Sequence, residues 1–487
     1  MTNSSEPIYQ LYMTQIADFH VREGFDPTKG SLSRQLADEI RRRIEAGTLI
    51  AGDRIPPTRQ LAKDLGIARG TVTTAVEMLL AEGILEARVG SGTFVAKDAN
   101  QASVRPRREG LPNVEFVTKP IELDVDKKAP SKVDLRPCRP SLETFPLNVW
   151  RRCISQAASA VPDSDYGDPL GNARLREEIA AYLRRARGMQ VDTGQIIVTN
   201  GAVHAMYLIA SLLLNPKRSV VFEDPGYPLA RQVFSRTGAE MVFAPIDRHG
   251  MQLDRLDTAT RPTRLVYVTP SHQFPVGSRL SLGRRAELLS WAEANGALIV
   301  EDDYDGEFRY DVPPLTPMAA MAPHLVVYCG TFSKTMFPGL RIGFAVADKS
   351  IIEAMACLRG VSEYSPNEPL QLALSKFIRE GEYERHVLRT RRHYAAKRKS
   401  VAERLAPQAK LTGLDSGLSG LIELPSSIPA NEVSMRLRDK GVLIPEVGRY
   451  VAGQMNARNA LVCGYAEPSL KRLEMGLQTI NAEIARY

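Results

Sequence analysis

The chain has 487 residues, 44% of them apolar and 24% charged, with a formal net charge of +7. At roughly 100–200 residues per domain, this length is too great for one compact unit and suggests about three, and the composition is that of an ordinary globular protein rather than a disordered or fibrous one. The positive balance permits contact with nucleic acid without establishing it.

In chain order, Met1 to Gln10 is polar and lacks the apolar core of a signal segment. Leu36, Ile40 and Ile44 fall at i, i+4, i+8 and predict a helix from about Ser33 to Ala46, stopped at Gly47. Thr58 is placed to cap a short helix carrying Leu61, Ala62 and Leu65, which Gly66 breaks. A second helix follows, with Val72, Val76 and Leu79 inward and Gly83 at its end. Two short helices across a glycine turn make a helix-turn-helix candidate, and ILEARVGSGTFV (84–95) predicts a hairpin, or wing, around Gly90-Ser91-Gly92. The domain is set at 30–96. Residues 97–132 are polar, basic and proline-containing and predict a linker; Arg105, Arg107 and Arg108 could meet phosphates, but a solvated charged linker is the favoured reading.

From 133 onward apolar runs alternate with helical segments: QIIVT, SVVFED, RLVYVT, ALIVEDD and LVVYCG. Such runs predict an α/β fold around a mainly parallel sheet, over 133–384. A charged helix from 385 opens a small α+β C-terminal domain, 385–487. The richest apolar run, Met206 to Leu214, is far short of a membrane span. Five scattered cysteines without CxxC and seven histidines without ligand spacing suggest no disulfide framework and no metal site; reduced thiols in the cytoplasm are expected.

A recognition helix entering the major groove needs a leading turn free of carboxylates. Gly66 to Val76 has none, and it offers Arg69, Thr71 and Thr73; Arg59 adds a donor from the preceding helix. Bulk charge does not decide the matter, since Arg54 to Gly92 holds five basic and four acidic residues. The ordered string PPTRQLAKDLGIARGTVTTAVEMLLAEGILEARVGSGTFV resembles the winged helix-turn-helix of GntR-type bacterial repressors, with Ala68 and Gly70 as departures. The resemblance implies that Arg59, Arg69, Thr71 and Thr73 contact DNA and that Gly90 and Ser91 form the wing tip.

Several motifs follow strands, where ligands of open α/β sheets gather. VTNGAVHAM (198–206) offers a helix N-terminus for a phosphate, and EDPGYP (223–228) an aromatic ring at Tyr227. TPSHQFPVG (269–277) carries His272 and Gln273, which could bond a ligand ring oxygen. VEDDYDGEF (300–308) ends an apolar strand on two carboxylates, costly unless one meets a cation; GTFSKTMFPGLRIGF (330–344) sets Lys334 and Arg341 in an apolar stretch. Taken singly, packed turn residues and surface ion pairs explain most of these. Together they meet the demands of pyridoxal 5′-phosphate: Lys334 for a Schiff base, Arg341 for the phosphate, and the Thr331 and Ser333 hydroxyls nearby.

Residues 135–485 resemble fold-type I aminotransferases. That resemblance implies that Asp302 pairs the pyridine nitrogen, Tyr304 reaches the phenolic oxygen and Tyr227 stacks on the ring. Gly201 and Ala202 would lead the phosphate-binding helix. Tyr166 would reach the phosphate from a neighbouring subunit. A GntR-like reader followed by such a domain resembles the MocR-type regulators, with PSHQFP, EDDYDGEF and GTFSK as shared strings. It implies a domain-swapped homodimer that binds operator DNA and senses an amino compound, or the cofactor itself, through Lys334. Turnover is not expected as its task, although residual transamination stays open. The alternative is an active aminotransferase with an appended DNA-binding domain, in which Arg458 would take a substrate carboxylate. A third reading, a large domain serving only as dimerisation scaffold, expects no cofactor.

Overall fold

The computed structural model describes residues 25, 26, 28, 30–99, 132–160, 164–310, 315–365, 367–453 and 458–487. The expected linker lies almost entirely outside them, at 100–131. The chain divides into two compact units, Met1–Val117 and Thr118–Tyr487.

In the first unit, α1 (Leu32–Glu45), α2 (Thr58–Leu65) and α3 (Arg69–Ala81) surround one core. The α1 stripe Leu36, Ile40 and Ile44 is buried, as are Leu61 of α2 and Val72, Val76 and Leu79 of α3. Gly66 ends α2 at φ 65°, a left-handed position that glycine adopts without a Cβ clash. Thr58 does not cap α2 but is its first residue: the cap is Pro57, whose carbonyl accepts from Leu61 N at 2.9 Å. The wing has strands β2 (Leu85–Arg88) and β3 (Gly92–Val95), and β3 also pairs antiparallel with β1 (Arg54–Ile55). Two residues are too short a strand to show a period, so β1 was not legible in the sequence.

The second unit is built on an eight-stranded sheet: β5 (Ile196–Thr199), β6 (Ser219–Asp224), β7 (Glu240–Asp247), β8 (Gly250–Met251), β9 (Thr263–Val268), β10 (Leu298–Asp303), β11 (Val326–Thr331) and β12 (Gly343–Val346). Their order is β5-β12-β11-β10-β9-β6-β7-β8. From β7 through β6, β9 and β10 to β11 the pairs are parallel, while β12 runs antiparallel to both neighbours and β8 antiparallel to β7. The strand side chains alternate between two cores: Val198, Val266, Ile299 and Tyr328 face one, and Ile197, Leu265, Val300 and Cys329 face the other. Burial on both faces is why the strands read as unbroken apolar runs.

A third core belongs to the C-terminal part, around the antiparallel strands β13 (Lys410–Thr412), β14 (Ser419–Glu423) and β16 (Ala460–Gly464). Val133 and Leu135 pack in this core, because β4 (Val133–Asp134) pairs parallel with β15 (Val442–Leu443). The charged helix spans Glu382–Arg404 and ties two cores together, with Tyr383 and Val387 in the sheet core and Tyr394 and Val401 in the C-terminal one.

Candidate functional site

Because β6, β9, β10 and β11 run parallel, the loops after them leave one edge of the sheet. A cleft of about 750 Å³ opens there. Its other walls are the loop 136–139 after β4 and the segment 445–450 before β16. That segment is pinned over the end of β6. Gly226 N donates to the Tyr450 carbonyl at 3.1 Å, and the Asp224 carboxylate accepts from Ala452 N and Gly453 N at 2.9 and 2.8 Å.

Asp302 lies at the floor, near the end of β10, with 4% of its surface exposed. Tyr267 Oη donates to its Oδ2 at 2.7 Å, whereas its buried Oδ1 has no partner among the described residues. Burial pushes its pKa up to about 7, against the opposing pull of the Tyr267 hydrogen bond. The neighbouring Asp303 has its cation: Arg187 Nη2 is 3.0 Å away, and Tyr328 Oη donates at 2.7 Å.

Lys334 extends from the turn after β11, and its Nζ donates to the Cys138 carbonyl at 2.8 Å. Cys138 presents that oxygen from a left-handed conformation, φ 60°, and burial pushes its thiol up to about 12. Thr331 and Ser333 line the same wall, with Ser333 N donating to Thr331 Oγ1 at 3.1 Å. Arg341, also left-handed at φ 52°, donates to the Asn200 carbonyl at 2.9 Å. Gly201 precedes α6 (Ala202–Leu213); a Cβ there would stand 3.3 Å from the Arg341 guanidinium. The free N–H groups of the α6 N-terminus and this guanidinium therefore converge. Tyr227 borders the cleft just before α7 (Pro228–Ser235), edge-on to Phe274 at 5.7 Å.

Tyr304 also lines the cleft; its hydroxyl donates to the His272 carbonyl at 2.9 Å. Neither His272 nor Gln273 lines it. His272 is buried between Asp305 Oδ2 (3.0 Å) and the Gly413 carbonyl (3.2 Å). Burial opposes its charge, but Asp305 outweighs burial and the pKa is raised. Gln273 Nε2 donates to the Pro225 and Phe274 carbonyls at 2.8 and 2.6 Å. Both side chains thus hold the loop's shape, and Thr269 and Phe274 face the cleft in their place. Tyr166 is 80% exposed, beside Tyr364 with ring centroids 5.5 Å apart, and does not line the cleft. Arg458 does not line it either; it lies 3.7 Å from Glu423. The arginines on the walls, besides Arg341, are Arg136, Arg139, Arg231 and Arg449.

Sequence reasoning missed Tyr267, hidden in an apolar run, and the loop 136–139, nearly 200 residues from Lys334. Arg231 had a signal, since it stands four residues after Tyr227, one helical turn away. In the first unit Arg59, Arg69, Gly90 and Ser91 are exposed, and Thr71 and Thr73 are half-buried at the start of α3.

Residues 32–95 match the gntR family of bacterial regulatory proteins, and 137–465 match the aminotransferase class I and II family. The chain is 34% identical, over 93% of both chains, to the probable rhizopine catabolism regulatory protein MocR of Rhizobium meliloti. It is 32% identical to the pyridoxine biosynthesis transcriptional regulator PdxR of Corynebacterium glutamicum, over 94% of this chain and 97% of that one. Among solved structures, it resembles a kynurenine aminotransferase of Pyrococcus horikoshii at 26% identity and a TM-score of 0.67, covering 73% of this chain and 91% of that one. The chain belongs to the MocR-type transcriptional regulators of the GntR family, in which a winged helix-turn-helix precedes an aminotransferase class I and II domain.

The cofactor of that domain is pyridoxal 5′-phosphate, and the residues present fit it. The orphaned Asp302 Oδ1 lacks the donor that a protonated pyridine nitrogen provides. The α6 N-terminus beside Arg341 suits a phosphate, and Lys334 offers the amine. Among the described residues, no group of His, Cys, Asp and Glu could hold a metal ion, and no helix is long and apolar enough to cross a membrane.

Proposed function

We propose that this protein is a transcriptional regulator that binds operator DNA through its first unit and senses an amino compound in the cleft of its second. The observation that carries the reading is one chain holding a reader fold and a cleft where Lys334, Asp302 and Arg341 converge. Pyridoxal 5′-phosphate, when bound, supplies an aldehyde that combines with primary amines. Lys334 would hold it by that group, and its amine is the one with which an incoming amine would compete. Asp302 would keep a proton on the ring nitrogen, Tyr304 would turn its hydroxyl hydrogen from the His272 carbonyl to the ring oxygen, and Tyr227 would cover one ring face. Arg341, Gly201 and Ala202, with the Thr331 and Ser333 hydroxyls, hold the phosphate. His272 stands behind Tyr304, its carbonyl within hydrogen-bond distance of that hydroxyl.

Arg59, Arg69, Thr71 and Thr73 serve phosphates and base edges, and Gly90 and Ser91 let the wing approach the backbone. The exposed Tyr166 supports a homodimer in which it meets the partner's cleft. The effector switches DNA binding only as far as it binds two states of the protein differently, so a practical response needs a few kcal/mol of difference. Lys334→Ala is the test. The variant is expected to lose the absorbance of the lysine-held cofactor and the effect of amines on operator affinity, at unchanged circular dichroism. A normal amine response in this variant would overturn the reading. Sustained keto-acid production from common amino acids by the native protein would favour the aminotransferase alternative.

A further inference from the structure

We infer that the effector is an amine carrying two separated anionic groups; this rests on the amine-sensing reading above. The cleft is lined by Lys334 and five arginines, 136, 139, 231, 341 and 449, and by one aspartate, Asp302. The cofactor engages Lys334, Arg341 and Asp302. Four arginines remain; Arg136 is paired with Asp134, and two of the others are poorly neutralised by the described residues.

The first is Arg231. It stands one turn after Tyr227, so the residue that borders the ring and this guanidinium share a face of α7. It is half-buried, and among the described residues the one hydrogen bond of its guanidinium is from Nη1 to the Tyr450 carbonyl at 3.3 Å. No carboxylate of the described residues lies within ion-pair distance of it. Burial lowers its pKa, with only the more distant Asp224 acting against that. A half-buried guanidinium without a counterion is unfavourable, and an anion docked on it relieves the cost.

The second is Arg139. It reaches Asp134 Oδ2 at 3.2 Å, on an oxygen that Arg136 already binds at 2.6 Å. Arg139 lines the cleft and follows Cys138, whose carbonyl accepts from the Lys334 amine. Arg231 approaches from α7, on a different wall. A ligand with one anionic group neutralises one of these cations and leaves the other, and a diamine meets repulsion from both. A doubly anionic amine, its acids being carboxylate, sulfonate or phosphonate, answers both with charge-assisted hydrogen bonds.

Isosteric acid and amide pairs test this. Aspartate against asparagine, and glutamate against glutamine, are titrated into the cofactor-loaded full-length protein at fixed salt, following cofactor absorbance. At least one acid is expected to half-saturate at about thirtyfold lower concentration than its amide. Arg231→Gln should shrink that preference to about threefold, with the lysine-held cofactor band and circular dichroism retained. Equal binding of acid and amide, an undiminished preference in Arg231→Gln, or tighter binding of β-alanine or putrescine than of either acid would overturn the inference and leave amine sensing standing. No absorbance response to any amine would overturn amine sensing, and this inference with it.

Discussion

Asp302 stands next to the last residue of an apolar strand, with one carboxylate oxygen bonded to Tyr267 and the other without a partner among the described residues. Its pKa rises from 3.8 to about 7, so across that window the folded protein keeps a proton that the unfolded chain releases. Stability therefore falls as pH rises through the window, and the full cost is present above it. Asp302→Asn removes the ionisation and keeps an acceptor for Tyr267. In cofactor-free protein the variant should be more stable than the native chain at pH 8, by on the order of 2 kcal/mol, with most of the gain gone near pH 4. With cofactor the order reverses at pH 8, since the ring nitrogen loses its anion; thermal denaturation at both pH values, with and without cofactor, checks both signs. The carboxylate pair was legible because charge at the end of a buried strand demands a partner. Which partner was not legible: Arg187 reaches Asp303 from more than a hundred residues away, and the orphaned Asp302 oxygen is visible only once Tyr267 is placed.

The phosphate end of the cleft depends on how β12 meets α6. A Cβ on Gly343 would lie 2.8 and 2.9 Å from Gly201 C and Ala202 N, so the strand can pass the helix N-terminus only without a side chain. Gly343→Ala should push that N-terminus away from Arg341, at an overpacking cost of about 1–3 kcal/mol and with about a tenfold loss of cofactor affinity. Titration of cofactor into the apo variant, by absorbance, measures it. The long elements could be read directly: α1, α3 and the five apolar strands carry their period or burial in their own residues. The short ones could not. Two-residue strands such as β1, β4 and β15 have no period, and they exist because a distant partner supplies their hydrogen bonds.

The whole molecule divides into units with separate cores, and the core of the first shares no residue with the three of the second. Leu79, fully buried in the first, tests that separation. Leu79→Ala should cost about 2–5 kcal/mol, a large part of the stability of so small a unit. Operator affinity should collapse or its thermal transition drop, while the cofactor band of the full-length variant stays as in the native chain. Loss of the band together with DNA binding would count against separate cores.

The residue string by itself determined that there are two kinds of unit, the winged reader and the α/β domain, and that Lys334, Asp302 and Arg341 belong to one site. Local periodicity and charges stranded within apolar runs marked the elements and the site, and the resemblance of the ordered strings to known families implied the rest. Tertiary structure alone decided what surrounds that site. It turned His272 into the loop, set Arg458 against Glu423, and brought Arg139 and Arg231 to the walls. The physical reason is that a wall is assembled from segments far apart in the chain, and their positions depend on packing that no local pattern records.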